Sequence, residues 1–257
     1  ATFVAGNVLA DESRLQELIT ADHRVPAHIE RNDARNPVAT LMFFGIEPDM
    51  TVVEVLPGAG WYSEILAPYL RGSGSYYAAH FSANASLPYQ PPALENFRQK
   101  LINHNHIYDE TILTHLNPPE EVDIAPAASA DLVLTFRNVH NWIMAGTQEE
   151  HFDAFHQALK PGGILGVVEH RAPAGSSMEF MQTSGYVTEA YTIELAEAAG
   201  FEFVASSEIN ANPLDTADHP RGVWTLPPTL QLGDENRARY QAIGESDRMT
   251  LKFRKPL

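Results

Sequence analysis

Residues 51–80, TVVEVLPGAGWYSEILAPYLRGSGSYYAAH, decide the fold. TVVEVL (51–56) is a short, β-branched apolar run bounded by turn formers, the pattern of a strand buried on both faces. Pro57-Gly58-Ala59-Gly60 interrupts it. WYSEILAPYL then places Ile65, Leu66 and Leu70 on one helical stripe that Gly72 ends. SYYAA (75–79) reads as a second strand. Strand, glycine turn, helix and strand make a βαβ unit, and its right-handed crossover sets the two strands parallel in one sheet.

The alternation continues downstream. Residues 97–102 have helical spacing, 111–116 read as a strand, and DLVLTF (131–136) as another buried strand. A helix over 149–159 carries Phe152, Phe155 and Leu159 on one face, and Lys160-Pro161-Gly162-Gly163 breaks it before a strand at 164–169. A helix at 188–199 and strands at 201–206 and 249–253 complete the series. Upstream, helices over 12–22 and 39–44 flank a polar connection bearing Arg24, Arg31 and Arg35, which makes residues 1–48 an N-terminal helical extension. The Pro-rich, polar segment 207–248 is too long for a structureless loop inside a compact domain and should pack as a cover. The reading is one α/β domain, 1–257, with a mostly parallel sheet and helices on both faces.

Composition narrows the function. Among 257 residues, 33 are acidic and 17 basic, a formal charge of −16 that repels nucleic acid and anionic membrane alike. No run approaches the roughly 18 uncharged apolar residues of a spanning helix, so membrane insertion is not expected. Without cysteine there is no disulfide, thiolate nucleophile or cysteinyl metal site. The chain opens at Ala1, which fits Met removal in a cytoplasmic protein, cleavage of an export signal in a periplasmic one, and a start set within a longer chain, with nothing in the sequence to choose among them. The expected partner is a small molecule.

Ligands of open α/β sheets sit beyond the carboxyl ends of the strands. Leaving those ends are Glu54 to Gly60, His80, Arg137 to Trp142, and Glu169 to Arg171. The turn at Gly58 and Gly60 lets a ligand approach bare backbone, or serves simply as a tight connection. Ser63 replaces the third glycine of a dinucleotide fingerprint, which argues against that reading. Arg137-Asn138-Val139-His140-Asn141-Trp142 is dense in groups that orient or deprotonate a substrate, with His140 the candidate general base. Glu169 and His170 leave the neighbouring strand, where either could orient His140; an ion pair of Glu169 with Arg171 is the plainer alternative. Trp61 and Tyr62 could wall a ligand or pack in the core, and Tyr186 precedes a late helix as a further cleft candidate. Arg24, Arg31 and Arg35 could close over an acidic ligand or lie on solvated helix faces, and Asp215, His219 and Arg221 are equally ambiguous. Eleven histidines raise a metal site at His140, His170 and Glu169, but the sequence has no H-E-x-x-H motif and the reading assigns no metal.

Taken together, Glu54-Val55-Leu56-Pro57-Gly58-Ala59-Gly60, ADLVLTF (130–136) and ALKPGG (158–163) resemble class I S-adenosylmethionine-dependent methyltransferases over about residues 51–256. More narrowly, LTFRNVHNW, GVVEHR, NPLDTADHP, GVWTLPP and IGESDRMTLKF resemble a group of bacterial methyltransferases that often carry an export signal. The resemblance implies a Rossmann-like seven-stranded sheet with an antiparallel strand near the C-terminus. It also implies S-adenosylmethionine as cofactor, bound by Glu54, Pro57, Gly58 and Gly60, with His80 beside the ribose. Methyl transfer to a small-molecule oxygen or nitrogen would use His140 and Asn138, with Trp61, Tyr62, Arg137, Trp142, Glu169, His170 and Tyr186 around the acceptor. Two departures stand out: His80 replaces an acidic residue, and Leu56 the first glycine of the turn. They motivate the alternative of a methyltransferase-fold protein that binds another small ligand, or a metal, without methyl transfer.

Overall fold

The structure is a computed structural model and describes residues 11–257, so residues 1–10 of the expected N-terminal extension lie outside the described residues. Residues 11–18 form α1, followed by α2 (Pro26–Ile29), α3 (Asn32–Arg35) and α4 (Pro37–Phe44). Then come β1 (Thr51–Val55), α5 (Ser63–Leu70), β2 (Ser75–His80), α6 (Gln90–Asn103), α7 (Asn105–Tyr108) and β3 (Thr111–His115). Next are β4 (Ala130–Phe136), α8 (Val139–Ala145), α9 (Gln148–Ala158), β5 (Leu159–His170), α10 (Met178–Ser184) and α11 (Glu189–Ala198). The chain ends with β6 (Glu202–Ser207), β7 (Pro220–Val223), α12 (Arg237–Ile243) and β8 (Arg248–Arg254).

Seven strands form one sheet in the order β3-β2-β1-β4-β5-β8-β6. The first five are parallel, while β8 runs antiparallel to both β5 and β6. Strand alternation divides the core. Val53, Val55, Val133 and Val167 pack on one face with α8, α9 and α11, and Val52, Leu132 and Leu134 pack on the other with α4, α5 and α6. Strand order reverses between β1 and β4, which places the ligand crevice at their carboxyl ends.

Three elements differ from the sequence reading. Helix α6 begins at Gln90, seven residues before the apolar spacing does, because Pro91 and Pro92 occupy first-turn positions that need no N–H donor. The Lys160–Gly163 break lies inside β5 as an irregular register against β4. The turn after β4 is immediately helical, so His140, Asn141 and Trp142 ride on α8 instead of a loop.

A proline docks the N-terminal extension. Pro68 lies inside α5 and has no N–H for the carbonyl of Glu64, four residues earlier. That freed oxygen accepts from the His23 ring at 2.7 Å, and the Pro68 carbonyl accepts from Arg14 at 2.8 Å. Glu64 itself pairs with Arg24 and His28. The extension is thus fastened to both the first and the last turn of α5.

The cover, residues 208–247, contains β7 and α12 and closes over β5 and α10. Its latch is Asp215, whose side chain is fully buried. It accepts from the Tyr186 hydroxyl at 3.0 Å, His219 Nε2 at 2.8 Å, and the N–H groups of Ala217 and Asp247 at 2.9 and 2.8 Å. Gly222, with φ +55°, lets the cover touch α10: a Cβ there would stand 2.1 Å from the Ser184 carbonyl oxygen. Arg171 adds ion pairs to Glu189, Glu208 and Asp247, and not to Glu169.

Candidate functional site

The chain leaves β4 through Arg137, held at φ +60°, its N–H donating to the Val168 carbonyl at 2.7 Å. Left-handed backbone is costly for a residue with a Cβ, and such strain concentrates at functional positions. It brings His140 into the first turn of α8, directly over the end of β5. There the buried Glu169 carboxylate accepts from His140 Nδ1 at 3.0 Å, from the His140 main-chain N–H at 3.3 Å and from the His170 N–H at 2.7 Å. A carboxylate can only accept, so Nδ1 carries the proton. His140 Nε2 has no partner among the described residues. That is the arrangement of an oriented general base.

The His140 ring lies 5.2 Å from that of His170, whose Nδ1 meets Ser246 Oγ at 2.5 Å. Burial, with His140, Arg137, Arg248 and Arg35 nearby, pushes His170 well below the usual imidazole range. A cavity of about 230 Å³ opens here between Arg31, Arg35, Arg137, His140, His170 and Trp224. Glu245 sits on its wall; burial alone would raise its carboxyl, but Arg35, Arg248 and Arg31 hold it down to about 2. Ligand atoms of His140, Glu169 and His170 lie within 4.8 Å of one another, close enough to share an ion. The carboxylate is already committed to three donors, however, and the surrounding guanidinium groups oppose a cation.

A second cavity, about 160 Å³, lies on the other side of the β4–α8 turn, between Leu56, Phe81, Leu116, Asn138 and Trp142. Asn138 donates to the Val55 carbonyl at 3.1 Å and to Thr135 Oγ at 3.2 Å, joining β1 to β4. Trp142 stacks on His151 at 4.3 Å, and its indole N–H finds no acceptor among the described residues. The turn Pro57–Gly60 closes on itself through Gly60 N–H to Pro57 O at 2.9 Å. The N–H groups of Gly58, Ala59 and Trp61 make no hydrogen bond among the described residues. Gly58, at φ +60°, has nothing within 4 Å of where a Cβ would sit, whereas Gly60 is pressed against Phe97. Of the two glycines, Gly58 offers bare backbone and Gly60 serves packing.

Several residues expected at the ligand are elsewhere. His80 is fully buried; its Nε2 donates to the Gly58 carbonyl at 3.0 Å and its Nδ1 accepts from Phe81 N–H at 2.8 Å, so neither nitrogen is left for a ribose. Glu54 is spent within the protein, accepting from Ser63 Oγ at 2.8 Å and the Tyr76 hydroxyl at 2.5 Å. Trp61 lies between the guanidinium groups of Arg24 and Arg35, 4.8 and 4.7 Å from its ring centre. Tyr62 stacks on Phe136 at 3.7 Å. Both aromatics are core residues. Tyr186 is fully buried in the Asp215 latch. Conversely Trp224, Glu245 and Ser246 were not singled out from the sequence. A larger depression, about 690 Å³ between α10 and the cover, shares only Trp224 with the cavity at His140.

The buried groups set a pH dependence. Burial pushes His80 and His151 down to about 4 from 6.5. Between these values the unfolded chain binds protons the folded chain refuses, so stability falls as pH drops from 6.5 toward 4, by about 3 kcal/mol per histidine. Glu54 works the other way: burial raises it from 4.5 to about 7, so its contribution is present at low pH and lost as pH rises through 7. Two histidines outweigh one carboxyl. Thermal midpoints should therefore fall from pH 6.5 to 4.5, with a shallower fall in His151→Phe. A midpoint that rises toward acid would contradict this balance.

No family model and no curated protein matches the chain. Solved structures do. A SAM-dependent methyltransferase from Aquifex aeolicus is 18% identical over 77% of this chain and 93% of that chain, with a TM-score of 0.55. Human N-acetylserotonin methyltransferase, in complex with SAM, is 14% identical over 100% of this chain and 60% of that one, with a TM-score of 0.55. The cyclase SpnF is 14% identical over 98% and 95%, with a TM-score of 0.57. At these identities the likeness is one of architecture: the chain has the seven-stranded α/β fold of SAM-dependent methyltransferases.

Proposed function

We propose that this protein transfers a methyl group from S-adenosylmethionine to an oxygen or nitrogen of a small molecule. The observation that carries the reading is the Glu169–His140 pair on one side of the β4–α8 turn, with a cavity at Leu56, the residue that enters the glycine turn, on the other. When bound, S-adenosylmethionine supplies a methyl already activated by its sulfonium. The residues fit it in three respects. Gly58 leaves room for close approach, the amides of Gly58, Ala59 and Trp61 are unclaimed donors, and the Trp142 indole N–H lacks an acceptor.

The chain's own work is then alignment and proton transfer. Glu169 fixes the His140 ring with Nδ1 protonated, and Nε2 accepts the proton of an acceptor O–H or N–H as that atom attacks. Glu54 braces α5 through Ser63 and so holds the turn from behind. The cover limits water at the His140 cavity through Trp224 and residues 227–229. Positioning of this kind supplies much of the rate of a displacement whose electrophile is already activated.

His80 favours a second reading. With both nitrogens consumed, no side chain at the end of β2 offers the paired acceptors that ribose hydroxyls require. The site would then hold another small ligand, since a fold does not fix an activity: one neighbour of this architecture is named a [4+2]-cyclase. Calorimetric titration with S-adenosylmethionine and S-adenosylhomocysteine separates the two. Micromolar binding of both is the expected result; no detectable heat with folded protein would leave the second reading.

A further inference from the structure

We propose that the cavity between α3, the β4–α8 turn and the cover binds an oxyanion, a carboxylate or phosphate group on the molecule that is processed there, with Arg137 as its principal contact. That this molecule is a methyl acceptor rests on the reading above; the anion site rests on its own residues.

Arg137 carries the argument. Its side chain lies in the cavity beside His140 and His170, yet makes no hydrogen bond or ion pair among the described residues. Its backbone holds the left-handed conformation that aims it there. A guanidinium presents a rigid fork of donors and stays charged, so one left unpaired in a half-buried site lacks its counter-ion.

The surrounding charges point the same way. Glu245 is the wall's acidic group, and its two oxygens are spent: Oε1 on Arg31 Nε at 2.6 Å, and Oε2 on Arg35 Nε at 3.3 Å and Arg248 at 3.2 Å. Glu169 is spent on His140 and His170. Four guanidinium groups thus face two carboxylates, in a chain whose formal charge is −16. Arg31 and Arg35 use only Nε, so their terminal nitrogens remain for a ligand. Trp61 holds Arg35 in place by lying against it. Burial and the neighbouring arginines push Arg35 down to about 8 and Arg137 down to about 10, the direction an absent counter-ion gives. A neutral ligand would leave this charge uncompensated and a metal ion would add to it. Bidentate pairing of guanidinium with carboxylate or phosphate relieves it.

The test titrates inorganic phosphate and, separately, succinate into the full chain at constant ionic strength without S-adenosylmethionine. Wild type is compared with Arg137→Asn and Arg137→Gly, two residues that accept positive φ, so the turn should survive in both. Saturable binding of either anion to wild type is expected, weakened roughly tenfold or more in both variants, and the arm that binds names the head group. Binding of neither anion to wild type, or equal binding in folded variants, would overturn the proposal. S-adenosylmethionine is titrated into the same samples. Its binding without any Arg137-dependent anion binding would sink the anion site alone. Anion binding lost in the variants, with no S-adenosylmethionine bound, would keep the site and remove methyl transfer.

Discussion

Replacing Glu169 by glutamine is expected to lower turnover by between about a hundredfold and ten-thousandfold, the range that a general base contributes. The carboxylate serves three N–H donors, and an amide has one acceptor oxygen to offer them. Its NH₂ group would either face a main-chain N–H or force His140 into the other tautomer, with the proton on Nε2 where the lone pair is needed. His140→Gln should fall about as far, and the double variant little further, because the two residues act as one device. Nitrogen-15 shifts of the His140 ring would report the tautomer without any acceptor present. Wild type should show Nδ1 protonated and Glu169→Gln should not; an unchanged ring would mean that Glu169 does not set it. S-adenosylmethionine affinity should stay within about twofold of wild type, since the pair lies across the turn from the glycine loop, so the loss would appear in kcat.

Asp215→Ala should cost about 3–5 kcal/mol, the usual scale for removing one partner from a buried charged cluster. Four donors lose their acceptor at once: the Tyr186 hydroxyl, the His219 ring and the N–H groups of Ala217 and Asp247. The first belongs to the segment leading into α11, the next two to the cover and the last to the entry of β8, so the loss should be felt where the cover meets the sheet. Denaturant unfolding gives the energy, and limited proteolysis gives the place, with new cleavage expected within residues 208–247. A variant as stable and as resistant as wild type would show that the cover is held by Arg171 and the Gly222 contact instead.

Much of this was legible in the sequence, for identifiable reasons. β-branched runs at 51–56, 131–136 and 164–169 fixed a buried parallel sheet, and parallel strands deliver their carboxyl ends to one rim. Glu169 and His140 leave adjacent strands there, so their meeting could be anticipated. The opposite wall could not be read by that rule. β8 is antiparallel, so the rim receives the residues that precede it, Glu245 and Ser246, and a search for residues leaving strands passes over them. Arg31 and Arg35 look like polar helix positions until the extension folds over the cleft. Trp61 follows a glycine turn as a ligand wall would, and only the two guanidinium groups on its faces reveal a packing role. At His80 the sequence displayed a changed residue but not that its ring had become part of the turn's own scaffold.

The proline in α5 reaches as far as the pocket. By handing a helical carbonyl to His23, it helps fix the extension from residue 11 onward, and that segment contributes Arg31 and Arg35 to the pocket. The pocket's charged wall therefore comes from two parts of the polypeptide: Arg31 and Arg35 from the extension, and Arg137, beside His140, from the β4–α8 turn. A change in the extension would alter half of that wall and leave Arg137 and the His140–Glu169 pair in place.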